Sequence, residues 1–231
     1  LVESDEIPST SQVPPHEFQA LFDEAVAAGD DVVCVCLSSK LSGTCDSARL
    51  AAAAHPGRVF VVDSLNATVG ERVVAERAIA LRDAGASAAD IAAQLERERE
   101  EVCLVAVLDT LEFLKKGGRI STAVALAGGL LSIKPVIGVV DGEVAMLGKA
   151  RGSKQGNNLL RQKIAESGGV DFSRPIWLGY TGLDDALLRK YVEDSRELYD
   201  AEVPEPPTTH VGSVIGTHVG PGAIAVAFFH A

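Results

Sequence analysis

The most distinctive pattern of apolar and polar positions lies near the start of the chain, where a short apolar run breaks into a hydroxyl-rich turn. Val32 to Leu37 contains only valine, cysteine and leucine without alternation, which is typical of a strand buried on both faces of a parallel sheet. The turn after it holds four hydroxyl residues around one glycine: Ser38, Ser39, Ser42, Gly43 and Thr44. Because Cys45 to Ala54 is compatible with a helix, this hydroxyl loop (Ser38–Thr44) is predicted to lead into a helix N-terminus.

The same kind of patterning predicts alternating helices and strands through the first half of the chain. Helices are expected at His16–Ala28, Cys45–Ala54, Thr68–Ala84 and Ser87–Glu101, and strands at Val32–Leu37, Arg58–Val62 and Val102–Leu108. Strands that alternate with helices form parallel sheets with right-handed crossovers. The three strands are therefore predicted to form one parallel, Rossmann-like sheet.

The pattern changes after Leu108, where short segments and a hairpin signal replace the regular alternation. Asp141-Gly142 separates two apolar runs and predicts a tight antiparallel turn. The expected elements are helices at Leu111–Lys116, Ser121–Leu131, Ser153–Ser167 and Asp184–Tyr199, and strands at Val136–Val140, Glu143–Ala150, Ile176–Tyr180, near His210–Ser213 and at Ala223–Phe229. The sequence thus predicts a parallel α/β domain at 1–112 and a mixed or antiparallel α/β domain at 113–231, with the boundary between Leu108 and Arg119.

Composition narrows the class of protein. A chain of 231 residues with 47% hydrophobic residues can bury sizeable cores, and a net charge of −11 argues against nucleic-acid binding, which needs a basic surface. No apolar run reaches the roughly 18 residues of a membrane helix, and no leader pattern precedes the first strand, so we expect a cytoplasmic protein. The four cysteines lack zinc-type spacing and are predicted to be buried free thiols: Cys34, Cys36, Cys45 and Cys103.

Three features suggest an anion site. Hydroxyl groups at a helix N-terminus, beside unpaired backbone N–H groups at the end of a strand, suit a carboxylate or phosphate. His218 lies between glycines in Gly216–Gly222, and we expect it to be held in an irregular loop close to a ligand. Arg119 and Arg151 each stand beside glycine and carry the planar charged group that binds carboxylates and phosphates. For His218 and the two arginines a purely structural role is about as common, and any one serine-rich turn more often serves only to cap a helix.

Other chemistry finds less support in the sequence. There is no phosphate-binding loop, no dinucleotide-binding glycine pattern after a strand and no zinc motif of the HExxH kind, so neither a cofactor nor a metal is expected. Ser42-Gly43 lacks the flanks of a nucleophile elbow. A serine-dependent acyl hydrolase, with Ser39 or Ser42 as nucleophile and His218 as base, remains the alternative.

Five segments share one further property: STSQVPPHEF from Ser9, SSKLSGTCDSA from Ser38, VVDSLNATVGERVVAERAIALRDAGAS from Val61, the long block Leu108–Lys154 and VIGTHVGPGAIAVAFF near the end. Together they resemble the DegV family, whose members are small two-domain proteins that bind a single long-chain fatty acid. The family normally begins with a strand that ends in a Thr-Asp-Ser loop, some tens of residues before the TSQ segment. No such segment precedes Ser9, so we expect a truncated N-terminus.

The resemblance implies a fatty-acid-binding protein, not a complete enzyme. It presents the carboxylate of its ligand to a separate ATP-dependent fatty acid kinase, which forms the acyl phosphate, and transient membrane contact is compatible with this role. The small residues of Ala123–Gly129 would leave room for the acyl chain. Chain length, unsaturation, the identity of the kinase and the oligomeric state are left open.

The resemblance also assigns roles to individual residues. Thr10 and Ser39 match the carboxylate-binding hydroxyls of the family, with Ser38, Ser42 and Gly43 alongside them in the same loop. His218, Arg119 and Arg151 match positions near the head group or on the rim that faces the kinase. The sequence departs from the family at Cys45, where the family usually has an aromatic residue, and at Val13, where the family has a proline after TSQ.

Overall fold

The computed structural model describes residues 8–121, 133–199, 203 and 205–231. Its first elements agree with the predicted order: α1 (Pro15–Ala27), β1 (Val32–Cys36), α2 (Thr44–Ala52) and β2 (Val59–Asp63). β1 and β2 are parallel and form a two-stranded sheet. The predicted burial on both faces is only partial, because Val32 to Val35 are half-buried and only Cys36 is fully buried.

The next elements lead into a second, larger sheet: α3 (Val69–Asp83), α4 (Ala88–Glu98), a 3-10 turn (Arg99–Glu101) and β3 (Val102–Val107). The prediction that this third strand joins the parallel sheet is wrong. β3 lies inside a six-stranded sheet, antiparallel to both of its neighbours. Helices cover both faces of β3, with Leu104 in one apolar core and Val105 in the other, so its side chains do not alternate in polarity. A central antiparallel strand of this kind has the same sequence pattern as a parallel one.

The six-stranded sheet is completed by the second half of the chain. Its remaining elements are α5 (Glu112–Lys116), β4 (Ile133–Val140), β5 (Glu143–Arg151), α6 (Gly152–Glu166), β6 (Trp177–Tyr180), α7 (Ala186–Asp194), a 3-10 turn (Arg196–Leu198), β7 (Thr208–His210), α8 (Ser213–Val219) and β8 (Ile224–Phe229). The strand order is β5-β4-β3-β8-β6-β7. The predicted hairpin is confirmed, since Asp141 and Gly142 both have positive φ between antiparallel β4 and β5.

Two apolar cores lie on opposite faces of this sheet. Val69 and Val73 of α3 and Leu95 of α4 are buried on one face. Leu160 of α6 and Tyr191 of α7 are buried on the other. The mixed α/β fold is confirmed. The domain boundary between Leu108 and Arg119 stays a prediction. β3 precedes this boundary but pairs with β4 and β8, which follow it.

The backbone around His218 differs from the prediction. The expected irregular loop is wrong, because Gly216, Thr217 and His218 lie in α8 and the irregular backbone starts only at Gly220, with φ of 73°. Gly216 takes part in this helix through its own N–H, which donates to the Gly212 carbonyl at 2.9 Å, and the Thr217 hydroxyl donates to the Ser213 carbonyl at 2.8 Å. The predicted helix at Ser121–Leu131, and with it the slot at Ala123–Gly129, falls outside the described residues apart from Ser121.

All four cysteines are free thiols, as predicted, but the predicted burial is confirmed only for Cys36 and Cys45, since Cys34 and Cys103 are half-buried. Within the described ranges, no group of three or more His, Cys, Asp or Glu residues is arranged to hold a metal ion. No helix among those same residues is long and apolar enough to cross a membrane.

Candidate functional site

A cavity of about 280 Å³ lies between the α3 face of the six-stranded sheet and the loops that follow β1 and β6. Its floor is formed by side chains of the central strands, among them Leu104 and Ala106 of β3, Ile137 of β4 and Ala225 of β8. Valine and leucine side chains from the surrounding loops and from α8 close its sides. The cavity therefore offers an almost entirely apolar surface.

Small residues on the central strands create this space. Ala106, Gly179, Ala223 and Ala225 stand at lining positions where larger side chains would fill the cavity. At Gly179 an added Cβ would lie 3.0 Å from side-chain atoms of both Val211 and Val69. These residues were not predicted from the sequence. A signal for them exists, because alanine at every second position from Ala223 places small side chains on one face of a strand.

Four of the residues singled out from the sequence line the cavity and form its polar end: Thr10, Ser42, Arg119 and His218. Thr10 and His218 are far apart in the chain, yet Thr10 Oγ1 lies 2.8 Å from His218 Nε2. Ser42 Oγ lies 2.9 Å from Thr44 Oγ1, which also lines the cavity. One end of an apolar cavity thus carries hydroxyls, an imidazole and a guanidinium.

Arg119 links this polar end to the hydroxyl loop. Its Nε donates to the Leu41 carbonyl at 3.1 Å, and its Nη1 donates to the Gly117 carbonyl at 2.7 Å. Both bonds go to neutral backbone oxygens, and no ion pair joins Arg119 to a carboxylate among the described residues. A guanidinium without an acidic partner at the wall of an apolar cavity attracts an anionic ligand group.

His218 occupies an environment that favours its neutral form. Burial is the larger cause that lowers its pKa from 6.5, and the nearby Arg119 charge lowers it further. Its Nδ1 is buried and has no hydrogen-bond partner in the described part of the chain. The ring packs so closely on Gly117 that a Cβ there would collide with Nδ1. The ring position is therefore fixed by α5 and α8 together.

Other residues of the hydroxyl loop hold the loop in place. Ser38 is fully buried, and its Oγ donates to the Gly142 carbonyl of the β4–β5 turn at 2.7 Å. The Ser39 N–H donates to the buried Asp63 carboxylate at 3.2 Å. Neither serine lines the cavity. These two hydrogen bonds attach the hydroxyl loop to the β4–β5 hairpin and to the end of β2.

Gly43 allows the TSQ segment to pack onto α2. An added Cβ at Gly43 would collide with the side-chain amide of Gln12, whose Nε2 donates to Ser47 Oγ at 3.0 Å. The Val13 N–H donates to Thr44 Oγ1 at 3.3 Å. These contacts place Thr10 at the cavity. Gly43 itself does not line it.

Arg151 is the one predicted site residue that lies well outside this arrangement. It is exposed at the end of β5, where it pairs with Ile133, and its backbone N–H donates to Gln155 Oε1 at 3.2 Å. It does not line the cavity. The structure therefore brings together Thr10, Ser42, Arg119 and His218, and leaves Arg151 on the surface.

Two threonines at the cavity escaped sequence reasoning. Thr68 lines it with φ of 52°, a conformation that costs energy for a β-branched residue. Thr181 also lines it, donates to the Gly220 carbonyl at 2.6 Å and accepts from the Ala223 N–H at 2.9 Å. The strained backbone of Thr68 could not be predicted from the sequence. Thr181 could have been selected, because it directly follows the end of the predicted strand Ile176–Tyr180.

Comparison with known proteins gives a consistent family match. Residues 1–231 match the family model described as "Uncharacterised protein, DegV family". A DegV domain-containing protein of Deinococcus radiodurans is 38% identical, with 96% of this chain and 78% of the relative covered. One from Caldanaerobacter subterraneus is 30% identical, with 99% and 81% covered.

Solved structures agree with this match. A structure described as fatty acid binding of a DegV family protein from Thermus thermophilus superimposes with a TM-score of 0.85 at 35% identity, covering 96% of this chain and 79% of the other. A DegV lipid-binding protein from Thermotoga maritima gives a TM-score of 0.84 at 28% identity, covering 98% and 78%.

Proposed function

Because this chain belongs to the DegV family, we propose that it binds one long-chain fatty acid in the apolar cavity. The observation that carries the proposal is the chemistry of the cavity, whose lining is mainly apolar but includes a polar cluster in which Thr10 contacts His218 and Arg119 lies near the same ring. The carboxylate lies at Thr10, Ser42, Arg119 and His218, and the acyl chain lies along the small residues of the sheet. Similarity to the Thermus and Thermotoga proteins supports the same ligand class.

Burial of the acyl chain supplies most of the binding free energy. Each methylene removed from water contributes about 0.8 kcal/mol, so an ordinary long-chain acid gains on the order of 10 kcal/mol before ordering costs. The carboxylate meets donors and a cation at the polar end, which offsets its own desolvation. In this proposal Ser38, Ser39 and Gly43 hold the hydroxyl loop at that end.

The finer part of the proposal concerns the fate of the bound acid. The protein presents the carboxylate to a separate ATP-dependent kinase in the cytoplasm, and the kinase forms the acyl phosphate. Arg151, exposed at the end of β5, belongs to the rim that meets the kinase, and Arg119, at the cavity wall, lies near the ligand. The chain binds the lipid and the kinase supplies the catalysis.

Acyl hydrolysis by the chain itself has no observation in its favour. His218 Nε2 is hydrogen-bonded to Thr10, not to Ser39 or Ser42. No carboxylate orients Nδ1 among the described residues. A nucleophile–base–acid arrangement would require both contacts.

Extraction of the natively purified protein with organic solvent tests the first part of the proposal. Mass spectrometry of the extract is expected to give a fatty acid at close to one copy per chain. Delipidated protein that takes up one equivalent of added fatty acid would give independent support. An extract that holds only nucleotides or sugars, together with no uptake of added fatty acid, would contradict it.

A further inference from the structure

A second, smaller pocket of about 50 Å³ lies on the opposite face of the sheet, where α6 begins. It is lined by residues of α6 and α7 and by the strand ends beneath them, among them Lys134, Ser153, Lys154, Asn157 and Lys190. We call it the first-turn pocket. It is separate from the cavity proposed for the acyl chain, so a ligand here is independent of the proposed function.

The charges around the first-turn pocket are unusual for the start of a helix. Acidic residues favour the first turn because the helix dipole is positive there, but α6 has none and carries Lys154 instead. Lys134 and Lys190 line the same pocket. Lys134 pairs with Asp109 and Lys190 pairs with Asp194, whereas Lys154 has no acidic partner among the described residues. The charge of Lys154 is therefore left unbalanced, and an anion in the pocket would neutralise it.

Asn157 provides an independent indication of a ligand. It is only 7% exposed, and its side chain lines the pocket. Its amide makes no hydrogen bond to any residue in the described ranges. Buried amides are nearly always paired, so an unpartnered one that faces a pocket indicates a group that the pocket binds.

Close packing of α6 on the sheet fixes the geometry of this pocket. A Cβ at Gly156 would lie 2.9 Å from Val107 Cγ2 and 3.5 Å from Lys134 Cβ. The absence of that atom lets the first turn of α6 approach β3 and β4. The start of α6 and Lys134 of β4 therefore border the same small space, beside the N–H groups that the first turn of a helix leaves unpaired.

We propose that the first-turn pocket binds a phosphate group. The first-turn N–H groups of α6 and the Ser153 hydroxyl donate to its oxygens, the Asn157 amide donates from the buried side, and Lys154, which has no acidic partner among the described residues, balances its charge. A volume near 50 Å³ suits a single tetrahedral oxyanion and excludes an acyl chain. The group is either free inorganic phosphate or the phosphate tail of a nucleotide.

Isothermal titration calorimetry of the full chain at low ionic strength tests the proposal, with inorganic phosphate and ATP as separate probes. Wild-type protein is expected to bind phosphate saturably, and Lys154→Gln and Asn157→Ala are each expected to weaken it about tenfold. Lys154 is exposed, so Lys154→Gln is expected to fold normally even if Asn157→Ala does not. Tighter binding of ATP than of phosphate identifies a nucleotide, and equal affinities identify free phosphate.

Lys163→Gln is the matched control, because it removes the same charge from the opposite end of α6. It is expected to change the phosphate affinity less than twofold. Fatty acid content, measured on the same preparations, is expected to stay the same in all three variants, which separates this test from that of the proposed function. No saturable binding to wild type, or equal weakening by Lys154→Gln and Lys163→Gln, would overturn the proposal.

Discussion

At the scale of single residues, the polar end of the cavity depends on a contact between the two ends of the chain. Thr10 and His218 are joined by one bond of 2.8 Å, so the same hydroxyl that is proposed to bind the carboxylate also positions the imidazole. Sequence similarity identified both residues, but only the structure places them together. Ser39 received the same assignment from similarity, and its visible contact is with Asp63 instead.

Alanine variants of Thr10 and Ser39 separate ligand binding from support of the loop. Thr10→Ala is expected to weaken fatty acid binding about tenfold to a hundredfold, because a hydrogen bond to a charged group contributes about 1.5 to 3 kcal/mol. Ser39→Ala is expected to weaken it less. Titration of delipidated protein with a fluorescent fatty acid measures both. A larger loss for Ser39→Ala than for Thr10→Ala would move the carboxylate away from the cavity wall and towards the loop.

The lowered pKa of His218 makes a second prediction at this scale. Between its folded pKa and 6.5 the unfolded chain binds more protons, so His218 lowers the free energy of unfolding as the pH falls through that window. A carboxylate beside the ring favours the imidazolium and raises the pKa. An NMR titration of His218 is expected to give a value below 6.5 in delipidated protein and a higher one after loading. An unchanged pKa on loading would contradict the proposed position of the carboxylate.

At the scale of elements, local signals predicted segments well and sheet membership less well. The Asp141-Gly142 turn and the helix after the hydroxyl loop follow from local residue preferences, and both are present. β3 could not be assigned from its sequence, because burial on both faces removes the alternation that distinguishes sheet types. The cavity could not be located either, since it depends on which small residues of distant strands face one another.

The junction of α5 and α8 offers a test of how elements position the site. Gly117→Ala places a Cβ against His218 Nδ1, while the backbone of Gly117 has φ of −73° and accepts alanine without strain. The substitution is therefore expected to displace the ring and reduce fatty acid affinity about tenfold, with little loss of stability. Gly216→Ala in α8 is the matched control, because no atom lies within 4 Å of its added Cβ.

Affinity and thermal unfolding, measured together on both glycine variants, decide the outcome. Normal affinity for Gly117→Ala would mean that the position of His218 is unimportant for the ligand. Equal losses for Gly117→Ala and Gly216→Ala would point to a general effect on α8, not to the ring.

At the scale of the whole molecule, the proposed presentation to a kinase requires a strongly acidic protein to meet a partner that handles ATP. With a net charge of −11, the general field repels a nucleotide complex, so local cations are needed wherever the two proteins meet near the phosphates. The stretch from Leu108 to Lys154 contains more basic than acidic residues. Its seven basic residues are Lys115, Lys116, Arg119, Lys134, Lys149, Arg151 and Lys154, and its four acidic residues are Asp109, Glu112, Asp141 and Glu143. Arg151 is exposed in this stretch, whereas Arg119 is half-buried at the cavity.

Because the two arginines differ in exposure, their alanine variants are expected to differ in effect. The quantity measured is the rate of acyl-phosphate formation with the cognate kinase and ATP. Arg151→Ala is expected to keep fatty acid bound and to lower the rate at least about tenfold, because it removes a cation from the surface that is proposed to meet the kinase. Arg119→Ala is expected to lower both lipid content and rate, since Arg119 also holds Leu41 at the cavity wall. Arg82→Ala, an exposed arginine on α3, serves as the control for loss of one positive charge. Lipid content and the rate of acyl-phosphate formation are measured on the same preparations. If Arg151→Ala loses lipid and rate in proportion, Arg151 belongs to the ligand site. If its rate equals that of Arg82→Ala, the kinase binds elsewhere.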